Sequence, residues 1–266
     1  MKKIILVLSL ICLASPAMAG KLVLKGSTTV LPIAQKATEA YMALHPDTVI
    51  TLSGGGSGNG IKAIIDGTAT IGNSSRFIKD KEVKQAVDQN AYPVPHRIAI
   101  DCIVPIIHKN NPVSDLSKEK LRDIYTGKIT NWKDVGGPDM KIVVISRDSS
   151  SGTFDAWKEL VLDGERVTPA ALTQPSNGGL VTQISGTKGA IGYIALGYIN
   201  TDVKVVSVDG IKGSEQTAKN GRYTISRPLF MFTAGWPEGE TLDFINFILS
   251  PKGQALVKEA GSITLY

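Results

Sequence analysis

Three times in this chain an apolar run ends in a cluster of glycine, serine and threonine and then gives way to residues with helical spacing. The clusters are Gly26-Ser27-Thr28-Thr29, Ser53-Gly54-Gly55-Gly56-Ser57-Gly58-Asn59-Gly60 and Arg147-Asp148-Ser149-Ser150-Ser151-Gly152-Thr153. Strand, small-residue turn, helix is the repeating unit of an α/β sheet. In open parallel sheets ligands sit at the carboxyl ends of the strands, where these turns fall. A helix start offers unpaired N–H groups and the positive end of the helix dipole. Three such mouths in one chain point to the holding of an oxyanion.

The rest of the sequence keeps the alternation. Residues 22–24, 48–52 and 69–72 read as strands. Leu31, Ala34, Ala37, Ala40, Tyr41 and Leu44 share one helical face, with Pro32 in the first turn and His45-Pro46 as the stop. Ile61, Ile64 and Ile65 predict a short helix stopped by Gly67. Residues 98–108 are apolar over a length uncomfortable for one interior strand, and predict a passage between two lobes; residues 227–234 predict the return. Ser117 predicts a helix cap with Gly127 closing that helix, and Thr130 the cap of a shorter helix around Trp132. Residues 141–145 read as a strand leading into Arg147, and Phe154, Trp157, Leu160 and Val161 as the helix beyond it. Residues 190–195 and 203–208 read as further strands, and Ser250-Pro251 opens a last helix ending at Gly261.

The first 19 residues have the pattern of an export signal. Lys2 and Lys3 precede an apolar run over 4–13, and Ala17-Met18-Ala19 forms a small-x-small cleavage site before Gly20. The run is too short to span a bilayer. Lipid attachment at Cys12 is the weaker reading, because Leu10 and Ile11 are bulky where that signal wants small residues. The remainder is expected to be soluble, periplasmic and long enough for two small lobes. Its one cysteine, Cys102, lies in the 98–108 run and reads as an inert buried thiol. The formal net charge is +5, and +3 without Lys2 and Lys3. The basic residues are scattered, which excludes a nucleic-acid patch.

Each candidate has a plain structural alternative. The glycine run reads as a flexible linker or as a backbone nest with Ser57 as a hydroxyl donor. Arg147 reads as a surface partner of Asp148 or as a planar fork for an anion, with Ser151, Gly152 and Thr153 adding hydroxyls and N–H groups. Ser27, Thr28 and Thr29 read as caps or as ligands; Ser75 and Arg76 as turn residues or as ligands. The phosphate-loop motif fails, since Gly60 is followed by Ile61-Lys62, and the dinucleotide fingerprint is poor because no acid follows at the right place. There is no Gly-x-Ser-x-Gly elbow and no metal-ligand spacing. The histidines His45, His96 and His108 offer no clear base for a Ser-His-Asp machine. The reading is a binding protein without cofactor or metal, not an enzyme.

On these residues the chain resembles the periplasmic phosphate-binding proteins that serve the high-affinity phosphate ABC importer, over its whole length after the signal. The motifs are Gly26-Ser27-Thr28-Thr29-Val30-Leu31-Pro32, Ser57-Gly58-Asn59-Gly60-Ile61-Lys62, Ile71-Gly72-Asn73-Ser74-Ser75-Arg76 and Arg147 through Thr153. Supporting segments are Ile124 through Trp132, Gly189 through Tyr193 and Ser250 through Gln254. The resemblance implies a type II periplasmic-binding fold: two Rossmann-like α/β lobes with mixed sheets, joined by two crossing strands, with the anion between them. Residues 20–100 and 227–266 would form lobe I and 101–226 lobe II. By position Thr28 and Thr29 match the first contact turn, with Ser27 beside them; Ser57 matches the second; Arg147, Ser151, Gly152 and Thr153 match the arginine turn. Ser75 stands where many members carry an aspartate, and Arg76 beside it would add a second positive contact. The resemblance implies inorganic phosphate as ligand, an inner-membrane permease as partner and a monomer. Alternatives are sulfate, molybdate or tungstate, or a secreted phosphoester hydrolase.

Overall fold

A computed structural model describes residues 20–266, so the export-signal reading of residues 1–19 lies outside the described part. In chain order the first segment holds β1 (Lys21–Gly26), α1 (Leu31–Leu44), β2 (Val49–Ser53), α2 (Ser57–Ile65), β3 (Ile71–Ser74) and α3 (Asp80–Asp88). The long strand β4 (Pro93–His108) follows. Then come β5 (Asp115–Leu116), α4 (Lys118–Thr126), a 3₁₀ turn (Trp132–Val135), β6 (Val143–Arg147), α5 (Gly152–Leu160), β7 (Leu172–Gln174), α6 (Asn177–Ser185) and β8 (Ala190–Ala195). A second 3₁₀ turn (Leu196–Tyr198), β9 (Val203–Val205), β10 (Ser207–Val208), α7 (Glu215–Lys219), β11 (Ser226–Ala234), α8 (Gly239–Leu249) and α9 (Pro251–Glu259) complete it.

β1 lies between β2 and β3 and runs parallel to both; β6 lies between β7 and β8 and runs parallel to both. These are two small doubly wound units of the same plan. They share one sheet path, β2-β1-β3-β11-β4-β8-β6-β7, through the antiparallel pair β11 and β4. β4 changes partners along its length. It pairs with β11 up to Cys102 and with β8 from Ile103 onward. The over-long apolar run is thus one strand that leaves the first lobe and enters the second.

Each lobe has its own core. Leu22, Leu24 and Ile71 pack with α1, α8 and α9 on one face of the first lobe, while α2 packs with Phe230 and Phe232 on the other. The second core is built on aromatics: Trp157 stacks on Tyr193 at 4.5 Å between ring centres, and Tyr125 meets Trp157 edge-on at 5.2 Å. Cys102 is fully buried, and burial pushes its thiol up to about 12, as expected of an inert side chain.

The local chemistry matches the sequence where one cap decides it. Ser117 Oγ accepts from Lys120 N–H at 3.1 Å and Gly127 closes α4 in the left-handed conformation. Elsewhere the structure corrects the reading. Asn131, not Thr130, caps the turn at Trp132, accepting from Lys133 N–H at 3.0 Å. α2 begins at Ser57, inside the glycine run, so Ser57 through Gly60 are helical and not a linker. A Cβ on Gly60 would lie 2.7 Å from the carbonyl oxygens of both Lys25 and Asn73. Only glycine lets α2 sit this close to β1 and β3. The strand before Arg147 also runs further than expected and ends on Arg147 itself.

Candidate anion-binding site

The carboxyl ends of β1, β3 and β6 and the starts of α2 and α5 converge between the lobes. β1 delivers Ser27, Thr28 and Thr29; β3 delivers Ser75; α2 delivers Ser57; β6 delivers Arg147; α5 delivers Ser151, Gly152 and Thr153. All nine are buried. Ser57 Oγ and Ser75 Oγ are 3.2 Å apart, and Ser75 N–H donates to Ser57 Oγ at 3.0 Å. Across the lobes, Thr29 Oγ1 and Thr153 Oγ1 are 3.0 Å apart. Ser27 and Ser151 also do local work: Ser27 Oγ accepts from Thr29 N–H at 3.2 Å, and Ser151 Oγ caps α5 by accepting from Phe154 N–H at 3.2 Å.

Arg147 is not a surface residue. It is 3% exposed, and the closest Asp148 oxygen stands 4.0 Å away while Asp148 Oδ1 accepts from Ser150 N–H. Its Nε and Nη2 donate to the carbonyls of Gln174 and Pro175 at 3.1 and 2.9 Å, which fixes the plane of the guanidinium. Its Nη1 has no hydrogen-bond partner among the described residues.

The structure separates Arg76 from this group. Its Nη1 and Nη2 donate to the two oxygens of Glu82 at 2.8 and 2.7 Å, and its Nε lies 2.8 Å from Asp155 Oδ2. A guanidinium held this way on its forked edge by a carboxylate is withdrawn from an anion. The second positive charge in the cleft is Arg227, near the start of β11, with Asp101 of β4 as its partner. Arg227 Nε and Nη2 donate to Asp101 Oδ2 at 3.2 and 3.0 Å, and Nη2 also reaches Thr29 Oγ1 at 3.2 Å and Thr153 Oγ1 at 2.8 Å. Arg227 Nη1, like that of Arg147, finds no partner among the described residues. Two further residues bridge the lobes here. Asn177, first in α6, donates to Thr28 Oγ1 and Thr29 Oγ1 at 3.2 Å each, and Tyr198 OH donates to the Thr28 carbonyl at 2.5 Å.

The sequence held a signal for the pair. The apolar crossing run 98–108 carries one acid in its interior, Asp101, and the returning run 227–234 opens on a charge of opposite sign, Arg227. Buried charges of that kind require each other. Asn177 had no comparable mark, since Asn177-Gly178-Gly179 reads as a loop until Ser176 is seen to cap α6 through Gly179 N–H at 2.9 Å.

Burial lowers the affinity of both guanidinium groups for their protons, and the two repel each other, yet an arginine stays charged. Burial pushes the Asp101 carboxyl up, against the pull of Arg227 and of the Leu196 N–H at 3.0 Å. Burial also raises the Tyr193 hydroxyl to about 12, so it stays neutral; it accepts from Arg147 N–H at 3.2 Å. Two cations and one buried anion leave the pocket positive. A ring of hydroxyls and aligned N–H groups surrounds it. Such a setting can hold a small multivalent anion without water, because each oxygen meets a donor. Among the described residues no cluster of His, Cys, Asp and Glu could hold a metal ion. His45 stacks on Tyr41, His96 Nε2 lies 2.9 Å from Thr233 Oγ1, and His108 Nδ1 accepts from Asn110 N–H, so each has a task outside this group.

Gly152 lets the lobes meet. A Cβ there would lie 2.3 Å from Ser57 Oγ, 2.7 Å from Ser75 Oγ and 3.0 Å from Ser57 Cβ. The hydroxyls can rotate away but the Ser57 Cβ cannot. Gly152→Ala is therefore expected to leave the melting temperature of the ligand-free protein within a few degrees and to weaken anion binding about tenfold, the size of one lost or misplaced charge-assisted hydrogen bond. Calorimetric titration beside a thermal melt checks both halves.

Comparison with known proteins places this geometry in a family. A model described as a PBP superfamily domain matches residues 14–252. The phosphate-binding protein PstS of Bacillus subtilis is 35% identical over 248 residues, covering 92% of this chain and 81% of that protein. Among solved structures, a protein from Clostridium perfringens with bound phosphate is 38% identical with a TM-score of 0.87, covering 93% of this chain and 100% of that one. An ABC-type phosphate transport receptor from Vibrio cholerae is 32% identical with a TM-score of 0.74, covering 91% and 99%. The likeness in fold extends to the two α/β lobes, and the chain belongs to the PBP superfamily, in the group of the phosphate-binding proteins PstS.

Proposed function

We propose that this protein captures inorganic phosphate outside the cytoplasm and delivers it to the permease of an ABC importer. The observation that carries the reading is the pair of buried guanidinium groups, Arg147 and Arg227, each with an Nη1 that has no partner among the described residues. An unmade hydrogen bond of a buried charged group costs more than about 1–3 kcal/mol, so both call for an anion. The ligand set is Thr28, Thr29, Ser57, Ser75, Arg147, Gly152 and Thr153 with Arg227 added; Ser27 and Ser151 stiffen the turns that present it, and Arg76 is left out. Charge-assisted hydrogen bonds of about 1.5–3 kcal/mol each, less the cost of ordering the cleft, reach about −8 kcal/mol and micromolar affinity.

The division into residues 20–100 with 227–266 and residues 101–226 is supported by the change of partner in β4 between Cys102 and Ile103. Closure of these lobes is the signal a permease reads. In this reading the protein is a periplasmic monomer that binds its ligand and releases it unchanged.

A broader oxyanion reading has one observation in its favour. The buried acid nearest the hydroxyls, Asp101, is committed to Arg227 and to Leu196 N–H, and Ser75 brings no charge. A site without a free carboxylate has only hydroxyl oxygens to accept the phosphate proton, and a hydroxyl also donates to sulfate. Calorimetric titration with phosphate, sulfate and molybdate decides the matter. Phosphate selectivity of a hundredfold or more upholds the reading, equal affinities make this a general tetrahedral-oxyanion binder, and no binding of any of them removes the assignment.

A further inference from the structure

Arg76, which the resemblance offered as a second positive contact, is held by carboxylates from both lobes. Arg76 and Lys79 follow β3 in the first lobe. Asp155 lies in the first turn of α5 in the second lobe. Asp155 Oδ2 is 2.8 Å from Arg76 Nε and 2.6 Å from Lys79 Nζ. Glu82 holds Arg76 from behind with both oxygens, and its Oε2 also accepts from Lys79 N–H at 2.9 Å. The side chains of Arg76, Glu82 and Asp155 are 9, 12 and 20% exposed, so water screens these charges only in part. Burial pushes the Glu82 carboxyl up, but the hydrogen bonds from Arg76 and Lys79 outweigh it and leave it below its ordinary value.

Two features set this group apart from an ordinary surface pair. Its anchored half belongs wholly to the first lobe, because Arg76 is tied to Glu82 and to its own Phe77 carbonyl at 2.8 Å. The contact to Asp155 is the part that crosses the cleft. Second, a cavity of about 390 Å³ is lined by Arg76, Lys79 and Asp155 together with Ser75 and Arg227 of the binding group. The crossing contact thus stands on the wall of a space that two residues of the binding group also line.

We propose that Arg76, Lys79 and Asp155 form a closure latch: a preset cationic jaw on one lobe that grips a carboxylate on the other and sets how fast the closed cleft opens. These are positioning residues, since none of them belongs to the ligand set proposed above. The proposal rests on the two-lobe binding reading above, but it concerns the opening step and not the ligand's identity. Opening about β4 and β11 moves α5 away from the end of β3 and breaks the Asp155 pairs, while the Arg76–Glu82 pair survives. Loss of a partly buried crossing charge acts mainly on dissociation, whereas loss of an exposed rim charge acts mainly on association.

The test compares wild type, Asp155→Asn, Lys79→Met and the double variant. Stopped-flow release of phosphate is read beside interlobe distances from spin labels at the exposed positions Asp47→Cys and Lys133→Cys, with and without phosphate and at low and high salt. Asp155→Asn is expected to speed release about tenfold with association changed less than about twofold. It should also shift the phosphate-free distance distribution toward the open form, and the double variant should be no worse than Asp155→Asn. Urea denaturation of the phosphate-free protein should not move, which separates a latch from a general loss of stability. Unchanged release and an unchanged distance distribution overturn the latch. If wild type fails to bind phosphate, the phosphate reading falls. The salt dependence of the distance distribution, lost in Asp155→Asn or not, still decides for or against the latch.

Discussion

Arg147→Ala weakens phosphate binding by at least a hundredfold and leaves the ligand-free fold standing. The residue ends β6 with its guanidinium plane fixed by the carbonyls of Gln174 and Pro175 and its Nη1 directed to no protein acceptor. Two charge-assisted hydrogen bonds at about 1.5–3 kcal/mol each amount to two to four powers of ten in affinity. Alanine also removes a buried charge that the ligand-free protein desolvates at a cost, so the unliganded stability changes little. Arg147→Lys should fall between, because a point charge replaces part of the attraction but not the planar fork. Calorimetry measures the affinities and a thermal melt the fold; unchanged affinity in Arg147→Ala removes this residue from the site.

Arg227→Met acts on the fold itself. Asp101 is fully buried, with Arg227 as its only cationic partner among the hydrogen bonds of the described residues. Breaking a buried pair by removing one member costs about 3–5 kcal/mol, a large fraction of the stability of a typical domain. Phosphate binding should be lost as well, since Arg227 also touches Thr29 and Thr153. The loss has a pH signature. Burial already raises the Asp101 carboxyl, and Arg227 pulls it down. Without that pull its folded-state value rises further above the ordinary carboxylate range. Between those two values the folded state binds a proton that the unfolded state does not, so stability rises as the pH falls through the window. Urea titrations of Arg227→Met should therefore show recovery on acidification from neutral pH toward the ordinary carboxylate range. In the double variant Asp101→Asn with Arg227→Met that recovery should vanish, because the titrating group is gone. Stability within about 1 kcal/mol of wild type in Arg227→Met at neutral pH would show that Asp101 does not depend on the pair.

Much of this molecule can be read from local chemistry. The face of α1, the Ser117 cap, the Gly127 stop and the β8 strand each depend on residues within one or two turns of one another. The three Ser/Thr/Gly clusters announced strand ends and helix starts for the same reason. α3 was not legible, because its buried residues are Glu82 and Ala86 while Val83 and Val87 face outward. Such a helix shows no apolar stripe. α6 was hidden behind two glycines, and with it Asn177.

The sequence by itself determined the α/β class and the strand-helix alternation of the first lobe, and it marked the hydroxyl and glycine turns proposed to hold the anion, since all of these are written in short-range patterns of apolar, small and hydroxyl residues. The tertiary structure alone decided which partners each arginine meets. Arg76 and Arg227 are equally charged, and one lies beside a recognisable motif while the other does not. Arg76 meets Asp155, and Arg227 meets Asp101 and two threonines, only because segments distant in sequence end at the same place. A charge is assigned its role by the partners within a few ångströms, and those neighbours come from the packing of the whole chain.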